Sequence, residues 1–314
     1  MARSVQRDLR CHDKPRSSCS RNSKGRASMF NSGDNTLPGD EGGDDDINAF
    51  GGNDRILAGG GEGKNTVNGG PGFDTVDYGP GAESPFAGAV TDGITSKANK
   101  RDVLKTTYGG GKGTDTLVDI ERVIGTQFDD VIYVDDVDNV RAGNGNDKVY
   151  GGIGDDNLFG GNGNDHLFGE SGDDELEGED GNDKLDGGDG EDTLRGGGGN
   201  DTLKGGKGDD TLRGNNGDDR IRGNGGSDDI EGGNGEDNIA GGGGGDAISG
   251  GEDDDFIRGN GGNDEIFGDG GDDEIRGDGG NDTLKGGNGE DTLDGGSGND
   301  DVNGGNGDDI VRGG

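Results

Sequence analysis

The chain has 314 residues, of which 23% are hydrophobic, 4% are aromatic and 80 are glycine, so a conventional globular core is not expected. Five prolines and the lack of a triplet glycine period exclude a collagen helix. The formal charge is −40, and because residues 1–30 hold eight Lys/Arg against Asp8 and Asp13, residues 31–314 carry −46, which disfavours nucleic acid and anionic membrane and points to a multivalent cation as partner.

Residues 1–30 form a basic, Arg- and Ser-rich tail that contains both cysteines, Cys11 and Cys19, so disulfides do not staple the body. The tail lacks the apolar run of a secretory signal, and no stretch of the chain is long and apolar enough to span a bilayer. It reads equally as an interaction arm or as sequence upstream of the true start, and disorder is expected for it.

Residues 31–77 hold a short, degenerate block of nine-residue units: DEGGDDDIN from Asp40, AFGGNDRIL from Ala49, GGEGKNTVN from Gly60 and GGPGFDTVD from Gly69. Asn65 stands where the other three have Asp45, Asp54 and Asp74, and two extra residues, Ala58 and Gly59, break the phase. Residues 78–109 carry no repeat and read as an irregular insert or loop with Pro80, Pro85 and a basic KANKR cluster at Lys97 to Arg101. Tyr78, Phe86, Tyr108 and that cluster are the candidate partner-binding residues of the insert.

The main block spans 110–312. It opens with a clean unit, GGKGTDTLV (110–118), which contains Asp115, and the IERVI run ending at Ile124 reads as a strand. Two decayed units cover 124–141 and keep Asp129 with Val131 and Asp138 with Val140, without the leading glycines. From Ala142 to Arg312 a frame of nine runs without slip through 19 units. Position 1 is Gly except at Ala142, position 4 is Gly except at Asp253, and position 8 is always Val, Leu or Ile. Position 6 is Asp in every unit: Asp147, Asp156, Asp165, Asp174, Asp183, Asp192, Asp201, Asp210, Asp219, Asp228, Asp237, Asp246, Asp255, Asp264, Asp273, Asp282, Asp291, Asp300 and Asp309.

Those four positions resemble the hemolysin-type (RTX) calcium-binding nonapeptide GGxGxDxUx, where U is a large aliphatic residue. The resemblance implies an all-β fold, a parallel β-roll or right-handed β-solenoid of stacked calcium-binding turns. In each unit the glycines permit positive φ and close backbone approach, so GGxGxD is expected to form a tight turn with inward carbonyls. The last three residues, xUx, are expected to form a very short strand that sends U inward. The resemblance further implies that two units make one coil and that unit n stacks on unit n+2, which places Asp156 over Asp174 and Asp165 over Asp183.

Stacked carboxylates repel, and a hard cation between coils turns them into ligands. Calcium fits oxygen donors and flexible carbonyls, whereas zinc prefers His or Cys, and the chain holds only His12 and His166, far apart. The 19 turns divide between two edges and offer about 17 inter-turn sites, a load of about +34. Ordering nine residues costs about 9 to 18 kcal/mol while burying one Leu returns about 1.5 to 3, so calcium binding and folding are expected to be one event.

The position-6 Asp residues of 142–312 are therefore the expected metal ligands, with Asp45, Asp54, Asp74 and Asp115 as weaker candidates. There is no HExxH, no GxSxG and no Cys/His pairing, so no enzyme activity is expected. The resemblance implies a secreted, extracellular structural or spacer module. The alternatives are an adhesin or surface-layer component that binds an extracellular surface or polymer, and the detached tail of a toxin or hydrolase whose catalytic chain is separate. Export signals of the family follow the repeats, whereas this sequence ends at Gly314 just after the last unit, so a truncated or split gene is an open expectation.

Overall fold

A computed structural model describes residues 19–21, 27–29, 33–34, 36–38, 46–49, 51–57, 66–78, 94–96, 104–108, 114–118, 120–134 and 139–314. Among them every regular element is a β-strand. The strands form a 14-stranded sheet, from Thr36–Pro38 to Asp301–Asn306, and a 16-stranded sheet, from Asp46–Asn48 to Ile310–Arg312. Consecutive strands of the regular block alternate between the sheets, so each strand pairs in parallel with the strand 18 residues on: Val140 faces Leu158, and Leu158 faces Leu176. The stacking of unit n on unit n+2 is thus present throughout, in a parallel β-solenoid.

The strands are longer than the three residues expected. Most span six, as in Asn157–Asn162 and His166–Ser171, so xUx continues into the first three residues of the next unit. Alternation explains the extension: position 8 and the following position 1 are both buried, while positions 7 and 9 are half-buried or exposed. Each unit thereby sends one aliphatic side chain inward. From Val140 to Leu293 these residues are at most 2% exposed and form one continuous column, joined at its start by Ile47, Ile56, Val67, Val76, Val123 and Ile132. At the far end Val302 is partly buried and Val311 is exposed.

Four expectations are corrected. The insert 78–109 is not simply a loop: Ile94–Ser96 and Leu104–Tyr108 are strands, antiparallel to each other, and the second pairs antiparallel with Thr114–Val118. Their β-branched runs suit a sheet, and they sit in the 16-stranded sheet between Thr66–Asn68 and Val131–Tyr133. Tyr78, named as a partner-binding candidate, is buried in the core. The tail is not without structure, since Cys19–Arg21 and Ala27–Met29 pair antiparallel; such a ribbon needs support, and Ala27–Met29 lies against Asp46–Asn48. In the decayed unit the register falls one residue later than the frame suggests: Ile132, fully buried, faces Val149, and Asp130 rather than Asp129 precedes the strand. The KANKR cluster, Phe86, Asp45 and Asp138 lie outside the described residues.

Candidate metal centre

Each turn is built from its glycines. Position 4 adopts positive φ, for example +133° at Gly163, and a Cβ there would overlap the carbonyl of Gly145 in the preceding coil. Position 1 is glycine for a different reason: its φ is ordinary, but a Cβ at Gly160 would collide with Asp165 Oδ2 and stand 2.9 Å from the Gly178 carbonyl oxygen. The same collision recurs at Gly178, Gly214, Gly232, Gly268 and Gly286, each with the position-6 Oδ2 of its own unit and the position-1 carbonyl of the next coil. A carboxylate oxygen and a backbone carbonyl therefore converge beside every such glycine.

The two oxygens of the aspartates have different surroundings. Oδ1 accepts a hydrogen bond from the backbone N–H of the aspartate one coil earlier: Asp165 N–H to Asp183 Oδ1 at 2.7 Å, Asp183 to Asp201 at 2.7 Å, Asp219 to Asp237 at 2.8 Å. This ladder runs from Asp130, which donates to Asp147, to Asp282 and Asp291, which donate to Asp300 and Asp309. Asp156 belongs to it, donating to Asp174 Oδ1 at 2.8 Å. Oδ2, in contrast, is buried and accepts no hydrogen bond at Asp147 or at Asp165, Asp174, Asp183, Asp192, Asp201, Asp210, Asp219, Asp228, Asp237, Asp246, Asp255, Asp264, Asp273, Asp282 and Asp291. Such an orphaned anionic oxygen costs several kcal/mol unless a proton or a cation meets it, of the order of ~3.

The protonation equilibria carry the same message. Burial pushes the Asp147 and Asp255 carboxyls up to about 8 and Asp165 and Asp201 to about 7; the backbone N–H at Oδ1 pulls down but does not compensate, and neighbouring carboxylates add to the rise. Such a carboxylate is stabilised by whatever positive charge meets Oδ2, a proton or a cation. The donors are all hard oxygens, one carboxylate oxygen with backbone carbonyls, which suits Ca²⁺. Among the described residues no three His, Cys, Asp or Glu side chains cluster as a metal site, so a cation at Oδ2 would need backbone donors as well. His166 lies on a sheet face with its ring edge toward Phe168, away from the turns.

The weaker candidates divide. Asp54 and Asp74 are buried and repeat the ladder, Asp54 N–H donating to Asp74 Oδ1 at 2.8 Å across 20 residues, two more than in the regular block. Asp115 sits inside the strand Thr114–Val118 opposite Thr106, not in a turn. Asp300 and Asp309, in the last coils, are less buried than the rest.

Three features escaped sequence reading. Glu121 occupies position 6 of a coil, receiving the Asp74 N–H at 2.7 Å, and its signal was the spacing to the buried Val123. Position 2 also adopts positive φ, at Glu170, Glu179, Asn215, Asn224, Asn260, Asp269 and Asp278 as well as at glycines, which explains why it holds only Gly, Asn, Asp or Glu from 142 to 312. Position 5 forms a second ladder in the opposite sense, Asn164 Oδ1 receiving the Asn182 N–H at 2.8 Å and Asp173 Oδ1 the Glu191 N–H at 2.9 Å.

A family model described as RTX calcium-binding nonapeptide repeat (4 copies) matches residues 59–82, 134–167, 168–203, 204–239, 240–275 and 276–311, more than half of the chain. No curated protein matches the chain.

Proposed function

The chain belongs to the RTX calcium-binding nonapeptide repeat family, a family that binds calcium in a β-roll, and from that premise we propose that it is a secreted structural or spacer module folded by calcium. The position-6 aspartates from Asp147 to Asp309 supply Oδ2 to the ions, together with the carbonyls that converge beside the position-1 glycines. Asp54 and Asp74 serve the first block in the same way. About 17 ions fill the regular block when it is saturated, a charge of about +34 against the −46 of residues 31–314. Millimolar extracellular calcium suits such sites, and any catalysis associated with the roll resides in a separate polypeptide.

The observation that carries this reading is the buried Oδ2 that recurs every nine residues beside a backbone carbonyl, with no hydrogen bond of its own at Asp165 through Asp291. The test is far-UV circular dichroism of the full chain in chelator, then with added Ca²⁺ or Mg²⁺. A coil spectrum that turns to β with millimolar Ca²⁺, and far less with Mg²⁺, is expected. A full β spectrum in excess chelator would overturn the coupling of folding to the ion.

A further inference from the structure

The outward faces of the two sheets differ in charge. Four consecutive strands of the 16-stranded sheet, Thr202–Lys207, Arg220–Gly225, Asn238–Gly243 and Phe256–Gly261, contain no Asp or Glu, although the chain holds 69 acids. They carry Lys204, Lys207, Arg220, Arg222 and Arg258, and Arg276 follows on the next strand. The strands on the opposite sheet over the same coils, Thr211–Asn216 to Glu265–Gly270, hold Asp229, Glu231, Glu252, Glu265 and Asp269 against a single base, Arg213. The lysines pair with Asp186 and Asp189 at the border of the strip, whereas Arg220 and Arg222 are exposed and make no ion pair among the described residues. Arg258 and Arg276 lie over the Phe256 ring at 5.3 and 5.8 Å. Arg276 also pairs with Glu274 on its own strand at 2.5 Å, whereas Arg258 Nε is buried with no hydrogen-bond acceptor.

We propose that this strip is a docking surface for a linear anionic polysaccharide, its carboxylate or sulfate groups meeting Arg222 and Arg258 of the position-9 column, with Lys204 and Arg276, paired to Asp186 and Glu274, at the two ends of the strip. Register places Arg222 opposite Ala240 and Ala240 opposite Arg258. The small Ala240 leaves a saddle between two arginine positions whose backbones are roughly 10 Å apart at strand spacing, about the advance of one disaccharide in an extended pyranose chain. The strip is flanked by acidic turns, with Asp209, Asp218, Glu236 and Asp254 exposed at position 5. A bilayer or a DNA duplex is wider than the strip and would be pressed against those acids; a single polymer chain lies between them. Planar guanidiniums suit carboxylate and sulfate through paired N–H donors.

The inference rests on the calcium-loaded roll, so each sample is first checked for its β spectrum in calcium. Binding of the full chain is then measured to hyaluronate, dextran sulfate, neutral dextran, phosphatidylserine vesicles and duplex DNA at fixed millimolar calcium. The expected result is binding to both anionic polymers and not to neutral dextran, with Arg222→Gln/Arg258→Gln lowering affinity at least tenfold and Arg213→Gln on the other sheet changing it less than twofold. A β spectrum with no polymer binding overturns the strip while leaving the calcium reading intact. Equal loss in Arg213→Gln, or tighter binding to vesicles or duplex than to either polymer, overturns it as well.

Discussion

Asp228 lies at the centre of the regular block and tests whether one residue serves both the backbone ladder and the ion. Its Oδ1 accepts the Asp210 N–H at 2.9 Å, its own N–H donates to Asp246 Oδ1 at 3.0 Å, and its Oδ2 is buried without a hydrogen bond beside Gly223. Asp228→Ala strands the Asp210 N–H, a loss of about 1.5 to 3 kcal/mol for a bond to a charged group. It also removes a ligand, and a tenfold to hundredfold loss of ion affinity adds about 1.4 to 2.7 kcal/mol. The sum is about 3 to 6 kcal/mol against calcium-driven folding. Asp309 is partly exposed, its Oδ1 accepts from Asp291 at 3.1 Å, and water replaces what Asp309→Ala removes, so about 1 kcal/mol is expected there. Calcium titrations followed by circular dichroism measure both, with Asp228→Asn retaining the Oδ1 acceptor and losing the charge. The expected order of calcium midpoints is wild type, then Asp309→Ala, then Asp228→Asn, then Asp228→Ala. Equal shifts for the two alanine variants, or a wild-type midpoint for Asp228→Asn, would refute the dual role.

The pH response has opposite signs with and without calcium. In chelator the position-6 carboxyls have folded values raised from 3.8 to about 6 at Asp183, about 7 at Asp165 and about 8 at Asp255, so their contribution to the folded state is fully present below pH ~4 and is lost as pH rises through 6 to 8. Acidifying the calcium-free chain from pH 8 to 4.5 is therefore expected to increase β signal, whereas in calcium the same change raises the midpoint because protons compete for Oδ2; a flat profile in chelator contradicts the first half. Gly223→Ala places a methyl against Asp228 Oδ2 and the Gly241 carbonyl and is expected to abolish calcium-induced order locally, while Gly225→Ala, whose nearest neighbour is the Gly206 carbonyl at 3.9 Å, leaves it unchanged in hydrogen-exchange maps. Tyr150 stacks between Tyr133 and Phe168 with centroids 4.4 and 4.8 Å apart, so Tyr150→Ala is expected to cost about 1 to 3 kcal/mol, read as a lower thermal midpoint in saturating calcium.

The regular block was legible because its period fixes everything that matters to the fold. A one-residue slip would turn Leu158, Leu167 and Leu176 outward, so the frame predicts their burial, while the stacking of Asp156 on Asp174 follows from the resemblance to the nonapeptide family. Where the glycines are missing, periodicity no longer decides. Asp129 and Asp130 are adjacent, as are the aliphatic Val131 and Ile132, so both registers satisfy the pattern; cross-coil pairing with Val149 selects the second. Glu121 was hidden for a related reason, since a longer acid in a run resembling an ordinary strand reaches the Asp74 N–H that an aspartate reaches elsewhere. The coil containing Thr36–Pro38, in register with Arg55–Leu57, has the sequence GDNTLP, too little of the repeat to be recognised alone. The ladder at position 5 is a property of the stack: the acceptor for each N–H lies 18 residues away, and no window of one unit contains both groups.

The division of labour between the two carboxylate oxygens is the physical basis for the proposed coupling of ion binding to folding. Asp183 Oδ1 holds the Asp165 N–H, and Asp165 Oδ1 holds the Asp147 N–H, so each coil is fastened by the one that follows it. The hydrogen bond is strongest to an ionised carboxylate, whereas burial alone favours the protonated form, whose oxygen accepts more weakly. Calcium bound at Oδ2, as proposed, would remove that conflict by stabilising the anion while Oδ1 keeps its N–H. An isolated coil gains one or two buried aliphatic residues, about 1.5 to 3 kcal/mol each, against about 18 to 36 kcal/mol of backbone entropy for its eighteen residues. It cannot persist alone, and an ion shared with a neighbour stabilises both coils. Order would therefore spread along the axis by nearest-neighbour coupling, as the pairing of each strand with the one 18 residues away allows.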